Sequence, residues 1–381
     1  MMKVIEAISD TNIGGAGRLL LTRLRNSNRG EVETEVILPR GSKLRERFED
    51  IGVRTHSIDG CIDRSFDVRA IKDICKIIKT AEPDIVNTHG CMSARIAAWL
   101  SGVPIRIYSR HCTYPVPRLL RTPPIKQLVG GIGMMLSGTA IAVADAAKSD
   151  LVKMGFSEDR IKVIINGVDP LRKYTAEERE IARAELGLEG CFAVGICARL
   201  EPCKDHECFL RGARILLRED ERYRFVIIGD GTQNDELRRL SKALGIDDKV
   251  IFVGFTTEVE RYMNCLDLNV NCSVGTETSS LALSEGMSIG LPSVASSYGG
   301  NPYMVRHGEN GFIYTKGDPV EFAEMISRIA CDERLYARMS QAARERYLCE
   351  LNSGQMTSRT EELYSELYNA YVSKENKTVK G

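Results

Sequence analysis

Lys162-Val163-Ile164-Ile165-Asn166-Gly167-Val168-Asp169-Pro170 is where the chain finishes one pattern and starts it again. Upstream, apolar runs of strand length lie at Val4–Ile8, Glu35–Leu38, Asp84–Asn87, Ile105–Ser109, Ala140–Ala144 and Lys162–Ile165. Helical periods fall between them at Ala16–Arg25, Val68–Thr80, Ser93–Leu100 and Asp145–Met154. Downstream the chain is polar and helical through Arg183, and then strands recur at Phe192–Cys197, Arg224–Ile228, Val250–Val253, Leu268–Asn271, Ser293–Ala295 and Phe312–Tyr314. Such alternation is the signature of a parallel doubly wound sheet, with Gly229-Asp230-Gly231 and Gly299-Gly300 as turn residues between runs. The expectation is an α/β protein of two Rossmann-like doubly wound domains facing across a cleft, 1–168 and 169–350. Leu363, Tyr364, Leu367, Tyr368 and Tyr371 follow helical spacing, so a closing helix over 351–373 should pack back toward the first domain, with a flexible tail at 374–381.

Composition narrows the function. The 381 residues carry 52 Lys/Arg and 52 Asp/Glu, so no global basic excess argues for a nucleic-acid partner. The balance is uneven along the chain: residues 1–165 hold 25 basic and 18 acidic side chains, a net of +7 offset by −7 in the remainder. From Ile85 to Ala144 there is no acidic residue, and Arg95, Arg106, Arg110, Arg118, Arg121 and Lys126 stand unopposed within that segment. Either the stretch faces an anionic ligand or membrane surface, or its cations meet acids from elsewhere in the fold.

The 12 cysteines include no Cys-x-x-Cys pair, and several sit in apolar runs, which fits a reducing cytoplasm. Lys3 and Glu6 beside the first apolar run are unlike a secretory signal. The uncharged run Gln127–Ala144 has the length of a membrane span, but Gly130, Gly131, Gly133 and Gly138 dilute it. It reads as a buried helix followed by a strand.

Three features could carry chemistry. Gly14-Gly15-Ala16-Gly17 follows the first strand and opens a helix, where backbone amides favour an anion. Leu20 stands where a dinucleotide fingerprint needs its third glycine, and a tight turn explains the glycines equally well. Arg199 and Lys204 follow the strand Phe192–Cys197, where a planar fork and a point charge can clamp a diphosphate. Glu277 and Glu285 flank the start of the helix after Leu268–Asn271, and carboxylates accept hydrogen bonds from sugar hydroxyls. Each is weak alone.

In order, Ala198-Arg199-Leu200-Glu201-Pro202-Cys203-Lys204, the Glu277/Glu285 pair, Leu291-Pro292-Ser293-Val294-Ala295-Ser296, Gly299-Gly300 and Gly308-Glu309-Asn310-Gly311 resemble the retaining nucleotide-sugar glycosyltransferases of GT-B architecture, glycosyltransferase family 4. Gly14-Gly15-Ala16-Gly17-Arg18 and Asn166-Gly167-Val168-Asp169 look like that family's phosphate loop and interdomain signature, so the likeness runs from residue 3 to about 345.

The resemblance implies that Arg199, Lys204 and the Gly15 backbone hold the donor diphosphate, Glu285 the nucleotide ribose, and Glu277 the transferred sugar. It further implies that the amides of Ser279, Ser280 and Leu281 cradle sugar and phosphate, and that His111 lies beside the transferred sugar. His89 and Arg110 fall on the acceptor side, whereas His56, His206 and His307 read as ordinary histidines.

Two departures stand out. Thr278-Ser279-Ser280 replaces a Gly-Phe-Gly-like segment, and Asn301-Pro302-Tyr303 lacks the glutamate that often follows the paired glycines. Both leave the donor sugar open. No Asp-x-Asp motif and no zinc-spaced Cys/His cluster occurs, so neither metal nor cofactor is implied, the nucleotide sugar being a substrate. The acceptor implied is a carbohydrate or a lipid-linked sugar, with peripheral contact at an anionic membrane suggested by the acid-free stretch. A nucleotide-sugar epimerase of the same shape and a non-catalytic nucleotide-sugar-binding protein are the alternatives.

Overall fold

The computed structural model describes residues 1–113 and 116–380, with the backbone alone for 377–380. Of the proline-punctuated segment Tyr114–Pro124, Tyr114 and Pro115 lie outside the described residues, as does Gly381 of the tail. The chain divides into two units: Met1–Gly167 together with the segment from Ser353 onward, and Val168–Asn352.

The first unit is built on strands β1 (Met2–Ile8), β2 (Val32–Pro39), β3 (Arg54–Ile58), β4 (Ile85–His89), β5 (Ile105–Arg110), β6 (Thr139–Ala142) and β7 (Ile161–Val163). They form one parallel sheet in the order β3-β2-β1-β4-β5-β6-β7. The central strands are covered on both faces, which is why they read as nearly unbroken apolar runs. The helix Val68–Ala81 shows how its neighbours are specified: Ala70, Ile74 and Ile78 form its buried stripe against Ile5, Ile37 and Val86. Asp67 caps its start, accepting from the Arg69 amide at 3.0 Å. Strand β3 was not expected from the sequence. It lies at the sheet edge, and Arg54-Thr55-His56-Ser57 offers no apolar run because only part of it is covered.

The uncharged run resolves into the helix Ile125–Leu136 followed by β6. A Cβ at Gly130 would come within 2.0 Å of the Gly155 carbonyl oxygen, and one at Gly133 within 2.4 Å of the Phe156 ring, so glycine is what lets the helix seat there. Arg95 donates to the Gly133 carbonyl at 3.0 Å, and Arg106 to those of Leu136 at 3.2 Å and Met135 at 3.3 Å. Two cations of the acid-free stretch thus cap the negative end of this helix, where unpaired carbonyls collect. Among the described residues no helix is long and apolar enough to cross a membrane.

The second unit carries β8 (Phe192–Cys197), β9 (Tyr223–Ile228), β10 (Val250–Gly254), β11 (Leu268–Asn271), β12 (Ser293–Ser296) and β13 (Gly311–Tyr314). They form a parallel sheet ordered β10-β9-β8-β11-β12-β13, and every strand expected for this half occurs. Phe209 centres its core, with the rings of Phe225 and Phe322 at 5.6 and 6.1 Å. Each sheet reverses its winding once, between β1 and β4 and between β8 and β11, and the carboxyl ends of strands at such a reversal form a ligand crevice.

The closing helix spans Ser353–Lys380 and belongs to the first unit. It continues through 374–380, where the sequence suggested a flexible tail.

Candidate functional site

In the second unit the predicted donor-side residues gather at the reversal of the sheet. Arg199 is exposed just past β8, and Lys204 ends the short turn Pro202–Lys204 that follows it. Gly229 and Gly231 keep this segment in place, since a Cβ at either would meet the backbone of Ala198 or Leu200 at 2.1 and 2.5 Å. Past β11, Glu277 is buried and takes three donors on one oxygen: Lys204 Nζ at 2.7 Å, Asn271 Nδ2 at 3.0 Å and Ser273 Oγ at 2.9 Å. Burial alone would raise this carboxyl; Lys204, with the two neutral donors, outweighs it and holds the group below the usual carboxylate range. The sequence assigned Lys204 and Glu277 to separate parts of a donor. The structure joins them in an ion pair.

The paired glycines supply the walls. A Cβ at Gly299, whose φ is +62°, would lie 2.0 Å from the Glu277 carbonyl oxygen, and one at Gly300 would lie 1.5 Å from that of Thr278. The loop carrying Glu277 therefore rests directly on the Gly299-Gly300 backbone. Ser280 caps the helix Leu281–Ser288, accepting from the Leu283 amide at 3.3 Å, while Ser279 and Glu285 are buried on either side of that start.

The second departure, Asn301-Pro302-Tyr303, has a local account. Asn301 donates to Asn271 Oδ1 at 3.3 Å and to Ser296 Oγ at 3.0 Å, which ties β12 to the residue that holds Glu277. Tyr303 donates instead to Glu350 at 2.5 Å.

In the first unit a second polar cluster sits at the β1/β4 reversal. His111 and His89 meet at 2.7 Å, Nε2 to Nδ1, and His89 Nε2 reaches Glu6 Oε2 at 2.7 Å. Glu6 is fully buried in the middle of β1, paired with Arg23 and accepting from the Tyr364 hydroxyl at 2.8 Å. Tyr364 in turn accepts from Asn87 Nδ2 at 2.9 Å, and Asn87 Oδ1 accepts from Ser109 at 2.9 Å. Burial would raise the Glu6 carboxyl, but Arg23 and the His89 and Tyr364 donors overcome it and hold the group at about 2. His111, His89, Arg23 and Asn87 line a small cavity of about 40 Å³ with Asn166, Met356 and Thr360.

Arg110 points to Asp150 at 3.8 Å, so this cation meets an acid from outside its acid-free segment. Gly17 packs on Leu44, where a Cβ would fall within 2.6 Å, whereas a Cβ at Gly15 would meet nothing within 4 Å. Of the ordinary histidines, His56 pairs with Glu35 at 2.6 Å and His307 bonds the Ile313 backbone. Neither ring nitrogen of the buried His206 has a partner among the described residues.

Sequence reasoning passed over Glu6, Arg23, Asn87 and Tyr364. The available signal was Glu6 itself, a carboxylate between Ile5 and Ala7 in a central strand, which requires partners wherever it is buried. Among the described residues no cluster of three or more His, Cys, Asp or Glu has metal-holding geometry.

The profile of the family described as Glycosyltransferase Family 4 matches residues 13–172, and that of Glycosyl transferases group 1 matches residues 178–346. The chain belongs to glycosyltransferase family 4. This GT-B glycosyltransferase is 23% identical over 308 residues to the N-acetyl-alpha-D-glucosaminyl L-malate synthase of Bacillus anthracis, covering 79% of this chain and 80% of the relative. It is 24% identical to an Escherichia coli UDP-Gal:alpha-D-GlcNAc-diphosphoundecaprenol alpha-1,3-galactosyltransferase, over 79% of this chain and 80% of that one. Among solved structures, Anabaena HepE in complex with UDP superposes with a TM-score of 0.84 at 21% identity, covering 96% of this chain and all of that one.

Proposed function

We propose that this glycosyltransferase is a retaining enzyme that moves a sugar from a nucleoside-diphosphate sugar to a carbohydrate or lipid-linked acceptor in the synthesis of a cell-surface polysaccharide or glycolipid. The observation that carries the reading is the grouping of Arg199, the Lys204–Glu277 pair, Glu285 and the Ser280-capped helix start at one sheet reversal. Transfer leaves a nucleoside diphosphate with growing negative charge, and a preset guanidinium and ammonium stabilise that charge without reorganisation. Lys204 neutralises Glu277 until the donor arrives; the diphosphate then shares the ammonium, and the Glu277 carboxylate turns to the sugar hydroxyls. The amides of Ser279, Ser280 and Leu281 complete this cradle, Glu285 takes the ribose, and Gly15 offers a helix-terminal amide to phosphate. On the acceptor side the roles fall to His111, His89 and Arg110. The UDP in the name of the Escherichia coli relative and the UDP bound to HepE support a uridine donor. Metal independence follows if the protein's own cations suffice.

The acceptor-side proposal has its own support. Leu128, Ile132 and Met135 are exposed along one face of the helix Ile125–Leu136, and Leu119, Leu100 and Trp99 are exposed as well, with Arg118 and Arg121 beside Leu119. Apolar side chains mixed with the cations of a segment that itself carries no acid suit an anionic bilayer surface and, with it, a lipid-linked acceptor at the inner face of the cell membrane.

Four measurements test these readings. A thermal-shift screen of nucleotide sugars should show stabilisation by one donor and by its nucleoside diphosphate. Product NMR, with and without acceptor, should show transfer with the anomeric configuration kept; conversion of the donor sugar without acceptor would make the protein an epimerase. Activity should persist in excess EDTA, and loss with rescue by magnesium would remove the metal-free electrostatics. For the surface, sedimentation with phosphatidylglycerol vesicles at low salt should capture the wild type and release Arg118→Glu/Arg121→Glu; equal behaviour leaves a solvated face.

A further inference from the structure

We infer that Glu6 and His89 are positioning residues that fix His111 with its proton on Nε2, so that His111 Nδ1 is a hydrogen-bond acceptor for a hydroxyl of the reacting sugars. The use of that acceptor rests on the transferase reading above; the tautomer does not.

The direction of each bond follows from Glu6. Its carboxylate can only accept, and Arg23 and the Tyr364 hydroxyl supply donors to Oε1. The contact of His89 Nε2 with Oε2 at 2.7 Å therefore needs a proton on that nitrogen. The charge of Glu6 is already balanced by Arg23, and the pattern that follows holds for a neutral His89 imidazole. A neutral imidazole protonated on Nε2 presents a lone pair at Nδ1. The 2.7 Å contact to His111 Nε2 then places a proton on His111 Nε2, which leaves His111 Nδ1 as the acceptor. Every link donates toward Glu6.

Other charged groups face the cluster: Asp10 after β1, Glu361 on the closing helix, and Arg110 next to His111, held by Asp150. Burial, the largest cause, pushes the His111 imidazole down to about 3, in keeping with a neutral ring. A proton added to His89 would reverse the chain. His89 Nδ1 would then donate to His111 Nε2, and His111 Nδ1 would become a donor.

The reason to expect more than structural support is the effect of an amide at position 6. Arg23 and Tyr364 demand the oxygen of Glu6→Gln, which turns its NH₂ toward His89 and forces the opposite tautomer on both rings. Turnover should fall at least about 100-fold with the nucleotide-sugar KM within about two-fold, as expected of a misdirected imidazole. Glu6→Gln/His111→Ala should be no slower than His111→Ala alone, because the glutamate acts only through that ring.

Should Glu6→Gln fail to fold, ¹⁵N-histidine NMR of the wild type at pH 8 decides, with His89 and His111 both expected as Nε2–H tautomers. A proton on Nδ1 of either ring, near-normal turnover of folded Glu6→Gln, or additive losses in the double variant each overturns the inference. If the wild type uses no nucleotide sugar, the transferase reading fails and the NMR still decides the tautomer.

Discussion

Lys204 and Glu277 differ from Arg199 in what their loss leaves behind. Arg199 is exposed, so Arg199→Ala should leave the melting temperature in place and weaken nucleoside-diphosphate binding by about 1.5–3 kcal/mol, the worth of one charge-assisted contact. Lys204→Ala should weaken binding comparably and also lower the melting temperature, because it strands the buried Glu277 without its cation at a cost of about 3 kcal/mol. Calorimetric titration with UDP and differential scanning calorimetry separate the two; equal melting curves would deny Lys204 its structural part. These residues were legible because motif order survives without coordinates. Their pairing was not, since Lys204 and Glu277 lie 73 positions apart and nothing in either segment indicates the other. Glu6 was illegible for a related reason: a charge near the chain start reads as surface until the strand around it is known to be central.

At the scale of elements, the helix Ile125–Leu136 gives a contrast between neighbouring glycines. Gly130→Ala should destabilise by about 1–3 kcal/mol, because its methyl meets the Gly155 carbonyl, which cannot move aside as a side chain could. Gly131→Ala has no atom within 4 Å and should stabilise by roughly 0.5–1 kcal/mol through helix propensity. Urea unfolding of both variants checks the signs, and a shared sign would contradict the seating of the helix. The sequence makes β8 and β9 legible because strands covered on both faces declare themselves as apolar runs, and edge strand β10 because Val250-Ile251-Phe252-Val253 is apolar though only partly buried. It lost β3, where Arg54-Thr55-His56-Ser57 is shaped by the neighbouring β2 and not by its own composition.

For the molecule as a whole, acid should act in two stages. His206, pushed down to about 4 chiefly by burial and then by Lys204, and His111, pushed down to about 3, stay neutral in the folded chain while the unfolded chain takes up their protons near 6.5. Protons then favour the unfolded state, so stability is complete above about pH 7 and falls as the pH drops from 6.5 toward 4. Glu6 works from the other side: its carboxyl is held at about 2 against 4.5 unfolded, so its stabilisation is present above 4.5 and lost as the pH falls toward 2. His206→Leu should flatten the first stage in the second unit by on the order of 3 kcal/mol, read as a shallower decline of melting temperature between pH 6.5 and 4. An unchanged slope would exclude His206 as a source of that loss.

Tyr364 and Glu6 lie 358 positions apart yet share a hydrogen bond within one unit, and that has a consequence in time. On the ribosome the stretch Val168–Asn352 is a complete unit before Ser353 is added, free to collapse as soon as it clears the exit tunnel. The unit that is synthesised first is finished last. Until the closing helix arrives, Glu6 and Asn87 lack the hydroxyl that joins them, and the histidine pair stands on an incomplete base. A chain ended before Ser353 would thus carry a finished second unit and a first unit still without its last helix.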